Sequence, residues 1–204
     1  ERLARICIQR FGFDGIRLTG GEPTMRAHFA TLVAKLAAID TAGRSVDLAM
    51  TTNGATLRHC AHDLKAAGLR RLNISLDSLD REKFARMTRR DELDRVLDGI
   101  QAAKEAGFHP LKINTVVERG VNDDEIVDLA GFGRDQGIEV RFIEFMPLDA
   151  GDAWQRRQVV GQDEIVAAIA AEWPIEQMPA RGAAPADRWR YLDGGGAGGG
   201  ATVG

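Results

Sequence analysis

Cysteine is nearly absent from this chain of 204 residues. Cys7 and Cys60 are the only two, and neither has a partner at the spacing of a metal site. We therefore expect two free thiols in a reducing compartment, which predicts a cytoplasmic location. Long apolar runs are missing as well, since no stretch approaches the ~20 residues that a membrane-spanning helix requires. No secretory signal opens the chain, so we expect no association with a membrane.

Positive charge is not in excess, because 27 Lys and Arg stand against 30 Asp and Glu and give a net charge of −3. This balance argues against nucleic-acid binding, which depends on a dense positive surface. No G-x-G-x-x-G motif follows any predicted strand, which argues against a dinucleotide site. A hydrophobic content of 44% is typical of a globular protein, and the length suits one domain or part of a larger barrel.

Both ends of the chain predict a longer parent protein. The chain opens without Met, inside a predicted helix that Gly12 ends, and it closes on 202–204 as a strand begins. We therefore expect truncation at both ends.

Five predicted strands alternate with predicted helices, a pattern typical of βαβ units and a parallel sheet. The strands are 16–19, 46–51, 72–77, 111–117 and 138–145. Asp80 is the predicted N-cap of a short helix. Asn122 and Glu125 form the pattern of a capping box for a helix that runs to about Gln136. The alternation changes after Met146, so we predict a barrel core at 1–147. The start of a C-terminal region, with a helix, strand fragments and a Gly-rich loop, is predicted at 148–204.

The turn after the first strand, Gly20-Gly21-Glu22-Pro23, combines two glycines with a proline that rigidifies the exit. Such a turn can present bare backbone to a ligand, although paired glycines at a strand end are more often an ordinary βα turn.

Each of the five strands has one apolar and one polar face. The polar positions are Arg17, Thr19, Thr51, Asn53, Asn73, Ser75, Asp77, Lys112, Asn114, Glu139 and Arg141. A parallel sheet covered on both faces would bury them at about 1–3 kcal/mol for each unpaired group. A curved sheet avoids this cost, so we predict a barrel or partial barrel whose polar interior opens at the carboxyl ends of the strands.

The cationic side chains of this interior, Arg17, Lys112 and Arg141, would attract phosphate or carboxylate. Structural explanations stay open at this point. Asp77 and Asn73 are each more often hydrogen-bond partners than catalysts, and Glu139 with Arg141 could form an internal ion pair.

Six motifs resemble the radical S-adenosylmethionine superfamily and, within it, the GTP 3′,8-cyclases of molybdenum cofactor biosynthesis. They are Ile16–Pro23, Met50–Gly54, Leu69–Asp77, Lys112–Asn114, Gly120–Asp124 and Arg141–Met146. The resemblance implies an α/β fold, an incomplete (βα)6 TIM-like barrel of the radical S-adenosylmethionine type. It also implies a lyase that converts GTP to (8S)-3′,8-cyclo-7,8-dihydroguanosine 5′-triphosphate.

The same resemblance implies the site residues. S-adenosylmethionine would be bound by Gly20, Gly21, Glu22, Ser75 and Met146, and GTP by Arg17, Thr51 and Lys112, with Asn53, Asn114 and Arg141 as neighbours. By analogy with the family, a reduced [4Fe–4S] cluster cleaves S-adenosylmethionine to a radical that takes hydrogen from the ribose C3′ of GTP. The implied partners are an electron donor, cyclic pyranopterin monophosphate synthase downstream and a second copy in a homodimer.

The chain departs from the family in its cysteines. The family holds one cluster on an N-terminal Cys-x3-Cys-x2-Cys and a second on three cysteines near the C-terminus, and Cys7 and Cys60 match neither pattern. We expect these segments before Glu1 and after Gly204, so the chain alone should be inactive; a natural pseudo-enzyme is the other explanation. Two alternative functions stay open: another radical S-adenosylmethionine enzyme, such as a peptide maturase, and a nucleotide-binding barrel without a cluster.

Overall fold

A computed structural model describes residues 1–41, 43, 45–146, 156–179, 186–195 and 202–204 of the chain. The helices in these ranges are α1 Arg2–Phe11, α2 Phe29–Ala37, α3 Ala61–Ala66, α4 Arg81–Thr88, α5 Leu93–Glu105, α6 Ile126–Gln136 and α7 Gln162–Glu172. The strands are β1 Gly15–Leu18, β2 Asp47–Thr52, β3 Arg71–Ser75, β4 Leu111–Val117, β5 Glu139–Glu144, β6 Ile175–Gln177, β7 Trp189–Tyr191 and β8 Thr202–Val203. No helix in the described ranges is long and apolar enough to cross a membrane.

The chain folds into two compact units. Unit 1 comprises Glu1–Ser75 and Glu92–Leu111, and unit 2 comprises Leu76–Asp91 and Lys112–Gly204. In unit 1, β2 pairs in parallel with both β1 and β3. In unit 2, β4, β5 and β8 are parallel neighbours, and β7 and β6 continue antiparallel. The domain boundary predicted at 147/148 lies outside the described residues.

The alternation along the strands of unit 1 is confirmed for the apolar positions, whereas Asn73, predicted on the polar face, is also buried. Leu48, Met50, Leu72 and Ile74 are fully buried, because they share the face that packs against the helices. Arg17 is exposed, and Thr51 and Ser75 are half-buried.

The end of β2 lies close against α5. Gly54 has a φ of +80°, which favours glycine, and a Cβ there would come within 2.9 Å of Ile74. A Cβ at Gly99 of α5 would collide with the Gly54 carbonyl oxygen. Both glycines therefore allow the backbone after β2 to approach the helix.

The core of unit 2 joins the strands to α6 and α7. It contains Val117, Ile126, Ala130, Val160, Ile165, Ile169, Tyr191 and Val203, all buried. Trp173 packs edge-on against Tyr191 with ring centroids 6.0 Å apart. Arg134 lies over both rings, at 5.4 and 5.8 Å. These contacts attach the C-terminal strands to the helices of unit 2.

Two helix ends confirm the sequence-based predictions. Gly12 ends α1 in the left-handed conformation, with a φ of 70°. Asp80 begins α4, and its carboxylate accepts the backbone N–H of Lys83 at 2.8 Å.

The capping box predicted at Asn122 and Glu125 is wrong. A short 3₁₀ turn occupies Asp123–Glu125 and α6 starts only at Ile126. The Asn122 side chain is fully buried and donates instead to the carbonyl oxygens of Asp77 and Val116, at 2.7 and 2.9 Å. Tertiary partners therefore displaced the local capping bonds that the spacing indicated.

Candidate active site

The turn after β1 borders open space. Gly20 has a φ of +150°, a conformation that side chains other than glycine's rarely adopt, and both Gly20 and Gly21 are exposed. A Cβ added at either glycine would meet no atom within 4 Å. The backbone of this turn is therefore accessible to a ligand.

Glu22 braces this turn against the end of β2. Its Oε1 accepts hydrogen bonds from the Thr24 N–H at 3.1 Å, the Thr24 hydroxyl at 2.6 Å and the Thr52 hydroxyl at 2.7 Å. Its Oε2 accepts the backbone N–H of Asn53 at 2.7 Å. A carboxylate oxygen has two lone pairs, so Oε2 keeps room for a second donor, such as the amino group of an amino acid.

A chain of hydroxyl groups continues from Glu22. The Thr24 and Thr56 hydroxyl oxygens lie 2.6 Å apart, and the Cys60 thiol donates to the Thr56 carbonyl oxygen at 3.5 Å. Burial raises the pKa of the Cys60 thiol, and the negative charges of Glu22 and Asp63 raise it further. Cys60 is therefore held as a neutral thiol, which is a poor metal ligand.

The predicted nucleotide residues of unit 1 share one face of its sheet. Arg17 pairs in register with Ala49, two residues before Thr51, and Thr51 pairs with Asn73. Ser75 is the last residue of β3 and lies on the same face as Asn73. The polar positions predicted from the sequence therefore share one face in unit 1, where Asn73 is buried and Thr51 and Ser75 are half-buried.

Unit 2 contains a half-buried charge cluster, which we define as Lys112, Glu139, Arg141 and Arg188. Lys112 Nζ and Arg141 Nε each lie 2.6 Å from Oε1 of Glu139. Arg188 lies 3.8 Å from Oε2 of Glu139. The ion pair between Glu139 and Arg141 that the sequence left open is therefore formed, and Lys112 shares it.

The charges of this cluster do not balance. Burial alone would raise the pKa of Glu139, but Lys112 and Arg141 outweigh burial and hold it below its ordinary value. Burial lowers the pKa of Lys112, with repulsion from Arg141 and Arg188, against the attraction of Glu139. One carboxylate thus faces three cationic side chains, and the surplus favours an anionic ligand.

Asp77 has the structural role that the sequence left open. Its Oδ1 accepts the backbone N–H of Val116 at 2.8 Å, and burial raises its pKa. Glu125 fixes the following segment, because it accepts bonds from the Ser78 hydroxyl at 2.9 Å and from the Leu79 N–H at 2.7 Å. The segment just after Ser75 is therefore held by buried side chains.

The eight predicted site residues divide between the units. Gly20, Gly21, Glu22, Ser75, Arg17 and Thr51 belong to unit 1, and Lys112 and Met146 to unit 2. Met146 follows β5 and is 54% exposed. The sequence did not identify two residues of the site. Thr52 donates a hydrogen bond to Glu22, and Arg188 lies outside the five predicted strands. The doubled threonine at the end of β2 was a usable signal for Thr52, whereas no local signal marks Arg188.

The described residues of this chain do not fit an iron–sulfur cluster. In the part of the chain that the structure describes, no group of three or more His, Cys, Asp or Glu side chains is arranged to hold a metal ion. Cys7 and Cys60 are separate free thiols, as predicted.

A cavity of about 410 Å³ opens elsewhere in unit 1. Among the described residues, its lining includes Gln9, Phe13, Asp14 and Asp40, and it contains none of the predicted site residues. It lies beside the start of β1, whereas ligand sites of parallel α/β folds lie at the carboxyl ends of the strands. We therefore place the candidate site at the polar side chains and not at this cavity.

Two protein-family models match this chain. The model of the radical SAM superfamily matches residues 1–133. The model of Molybdenum Cofactor Synthesis C matches residues 138–199.

Curated relatives are GTP 3′,8-cyclases. The enzyme of Acidothermus cellulolyticus is 46% identical over 95% of this chain and 54% of its own length. That of Rhodopirellula baltica is 48% identical over 80% of this chain and 45% of its own length. GTP 3′,8-cyclase 2 of Pseudomonas aeruginosa is 48% identical over 89% of this chain and 54% of its own length. The chain thus spans about half the length of these relatives.

Solved structures share the fold at low sequence identity. TYW1 with a lysine–pyruvate adduct bound superposes with a TM-score of 0.58 at 18% identity, over 87% of this chain and 62% of that one. Coproporphyrinogen III oxidase (HemN) from Escherichia coli, a radical SAM enzyme, superposes with a TM-score of 0.56 at 14% identity. The match covers 83% of this chain and 43% of that one. The expected fold class, an α/β partial TIM-like barrel of the radical SAM type, is confirmed. The chain belongs to the radical SAM superfamily.

Proposed function

We propose that the full-length protein is a GTP 3′,8-cyclase, a lyase of the first step of molybdenum cofactor biosynthesis. The observation that carries the proposal is the charge cluster of unit 2, where three cationic side chains face one carboxylate. A triphosphate supplies the negative charge that this cluster lacks. The identity of 46–48% to GTP 3′,8-cyclases supports the same substrate.

In this proposal Arg17, Thr51 and Lys112 bind GTP. Arg17 is exposed and its guanidinium can bind a phosphate in two places at once, while Thr51 offers a hydroxyl on the same face of the sheet. Lys112 would exchange part of its contact with Glu139 for a phosphate oxygen. Asn53, Asn114 and Arg141 would line the same nucleotide.

The turn at Gly20, Gly21 and Glu22 would bind S-adenosylmethionine, with Ser75 and Met146. The bare backbone at the two glycines and the remaining lone pair on Oε2 of Glu22 suit the amino group of its methionyl part. The resident cofactors of the proposed enzyme are S-adenosylmethionine and two [4Fe–4S] clusters. The described residues of this chain hold neither cluster, so we derive no step through them.

We expect an electron donor, cyclic pyranopterin monophosphate synthase downstream, a cytoplasmic location and a homodimer. The core at 1–147 and the C-terminal region at 148–204 would form parts of that enzyme.

The test is turnover by the full-length protein, purified without oxygen and supplied with S-adenosylmethionine, a reductant and either GTP or ATP. We expect the cyclised nucleotide from GTP and none from ATP. Cleavage of S-adenosylmethionine without a cyclised GTP product would overturn the proposal and favour another radical SAM enzyme, such as a peptide maturase. Nucleotide binding by a protein without iron would overturn it in favour of a binding barrel.

A further inference from the structure

We propose that Arg188 binds the phosphates of the nucleotide as a third cationic contact beside Lys112 and Arg141. The inference rests on the proposed function for the identity of the ligand. The anion-binding property itself rests on the charge cluster alone.

Arg188 carries an unused donor. Its side chain is 13% exposed, and its Nη2 is buried without a hydrogen-bond partner among the described residues. A buried donor that bonds nothing is costly, so native structures rarely leave one without a ligand or water. Its Nη1 lies 3.8 Å from Glu139, too far for a hydrogen bond. Arg188 is thus held near the carboxylate without being satisfied by it.

The closest cationic contacts of Glu139 are with Lys112 and Arg141, and Arg188 lies further away. Both cations bond the same oxygen, Oε1, at 2.6 Å. Arg188 is therefore the member of the cluster whose charge is least neutralised. An anion that enters the cluster would meet Arg188 at the smallest cost of broken contacts.

The backbone brings Arg188 and Arg141 together. A Cβ added at Gly204 would lie 3.5 Å from Cγ of Arg188 and 3.6 Å from Cγ of Arg141. Gly204 is fixed to β5, because its N–H donates to Val140 at 2.9 Å and its carbonyl accepts from Phe142 at 2.7 Å. The two arginine stems thus both lie against one fixed backbone position.

The test measures equilibrium binding of GTP, guanosine and inorganic tripolyphosphate to the full-length protein. The variants are Arg188→Gln, Arg188→Lys and, as a matched control, Arg190→Gln. Arg190 is exposed two residues further on and pairs with Glu176. Loss of one charge-assisted contact should weaken GTP and tripolyphosphate about 10-fold or more in Arg188→Gln. Guanosine binding should not change, Arg188→Lys should recover part of the loss, and Arg190→Gln should match the wild type.

Each other outcome has a separate meaning. Unchanged affinity for tripolyphosphate in Arg188→Gln would overturn the role of Arg188 and leave the proposed function intact. A weakened affinity for guanosine as well would also overturn it, because the damage would then be general. A third outcome is that wild-type protein binds tripolyphosphate but not GTP, and that Arg188→Gln weakens the binding of tripolyphosphate. This result would support the anion site and overturn GTP as the substrate.

Discussion

Oε2 of Glu22 accepts the backbone N–H of Asn53 at 2.7 Å, so a side chain after the first strand fixes the end of the second strand. The acid of the Gly-Gly-Glu turn is therefore a brace between the ends of the first two strands of unit 1. Its Oε1 strengthens the same link through the Thr52 hydroxyl. Thr51 and Asn53, on either side of Thr52, depend on this brace for their positions.

Glu22→Gln should destabilise the protein by about 1–3 kcal/mol. The glutamine NH₂ group would replace one carboxylate oxygen, and the N–H or hydroxyl groups that now donate to that oxygen would lose their acceptor. The midpoint of urea unfolding measures the loss. Glu82→Gln, at an exposed position of α4, is the control and should change the midpoint little. Equal effects of the two variants would contradict the brace.

Asn122→Ser distinguishes the buried hydrogen-bonding role of Asn122 from the helix-capping role that the sequence predicted. Serine is a good helix cap, so a capping role predicts almost no effect. The structure predicts a loss of about 1–3 kcal/mol or more, because the carbonyl oxygens of Asp77 and Val116 lose their donor. Amide hydrogen exchange should accelerate at Glu118, whose N–H now bonds Asn122 at 2.8 Å. An unchanged exchange rate at Glu118 would argue against the buried hydrogen-bonding role of Asn122.

Asp77→Asn should remove one contribution to the pH dependence of stability. Burial raises the pKa of Asp77 in the folded protein above its unfolded value near 3.8. The folded state then binds more protons than the unfolded state in this range, so the contribution of Asp77 to stability falls as pH rises from below 3.8 through the raised value. The asparagine keeps an oxygen for the Val116 N–H and does not ionise.

Urea unfolding of Asp77→Asn and wild type across this range measures the difference. The variant should gain stability relative to wild type as the pH rises, and the gain should level off above the raised pKa. A difference that stays constant with pH would contradict the assignment.

Lys112→Ala should weaken GTP binding about 10- to 100-fold, the effect expected for one charged contact, and should leave S-adenosylmethionine binding nearly unchanged. Equilibrium binding of each ligand to the full-length protein measures this. Lys35→Ala, at an exposed position of α2, is the control. Equal losses for both ligands in Lys112→Ala would indicate general damage to the fold.

Much of the fold could be predicted because it follows from local patterns. The alternation in 72–77 predicted the buried Leu72 and Ile74, and Asp80 predicted the start of α4. These features depend on residues a few positions apart, where sequence spacing reports geometry directly.

The side-chain networks could not be predicted, because their partners are distant in sequence. Asn122 bonds Asp77, 45 residues away, and this contact overrode a locally favourable cap. Glu22 reaches Asn53 across 31 residues, and Arg188 approaches Glu139 only once the C-terminal strands have packed.

The most direct test of the central claim follows hydrogen from GTP. The full-length protein, kept without oxygen, would be given S-adenosylmethionine, a reductant and GTP that carries deuterium at the ribose C3′. Mass spectrometry should find the deuterium in 5′-deoxyadenosine together with a cyclised GTP product. Formation of 5′-deoxyadenosine without deuterium, from a protein that leaves GTP unchanged, would contradict the assignment of GTP as the substrate.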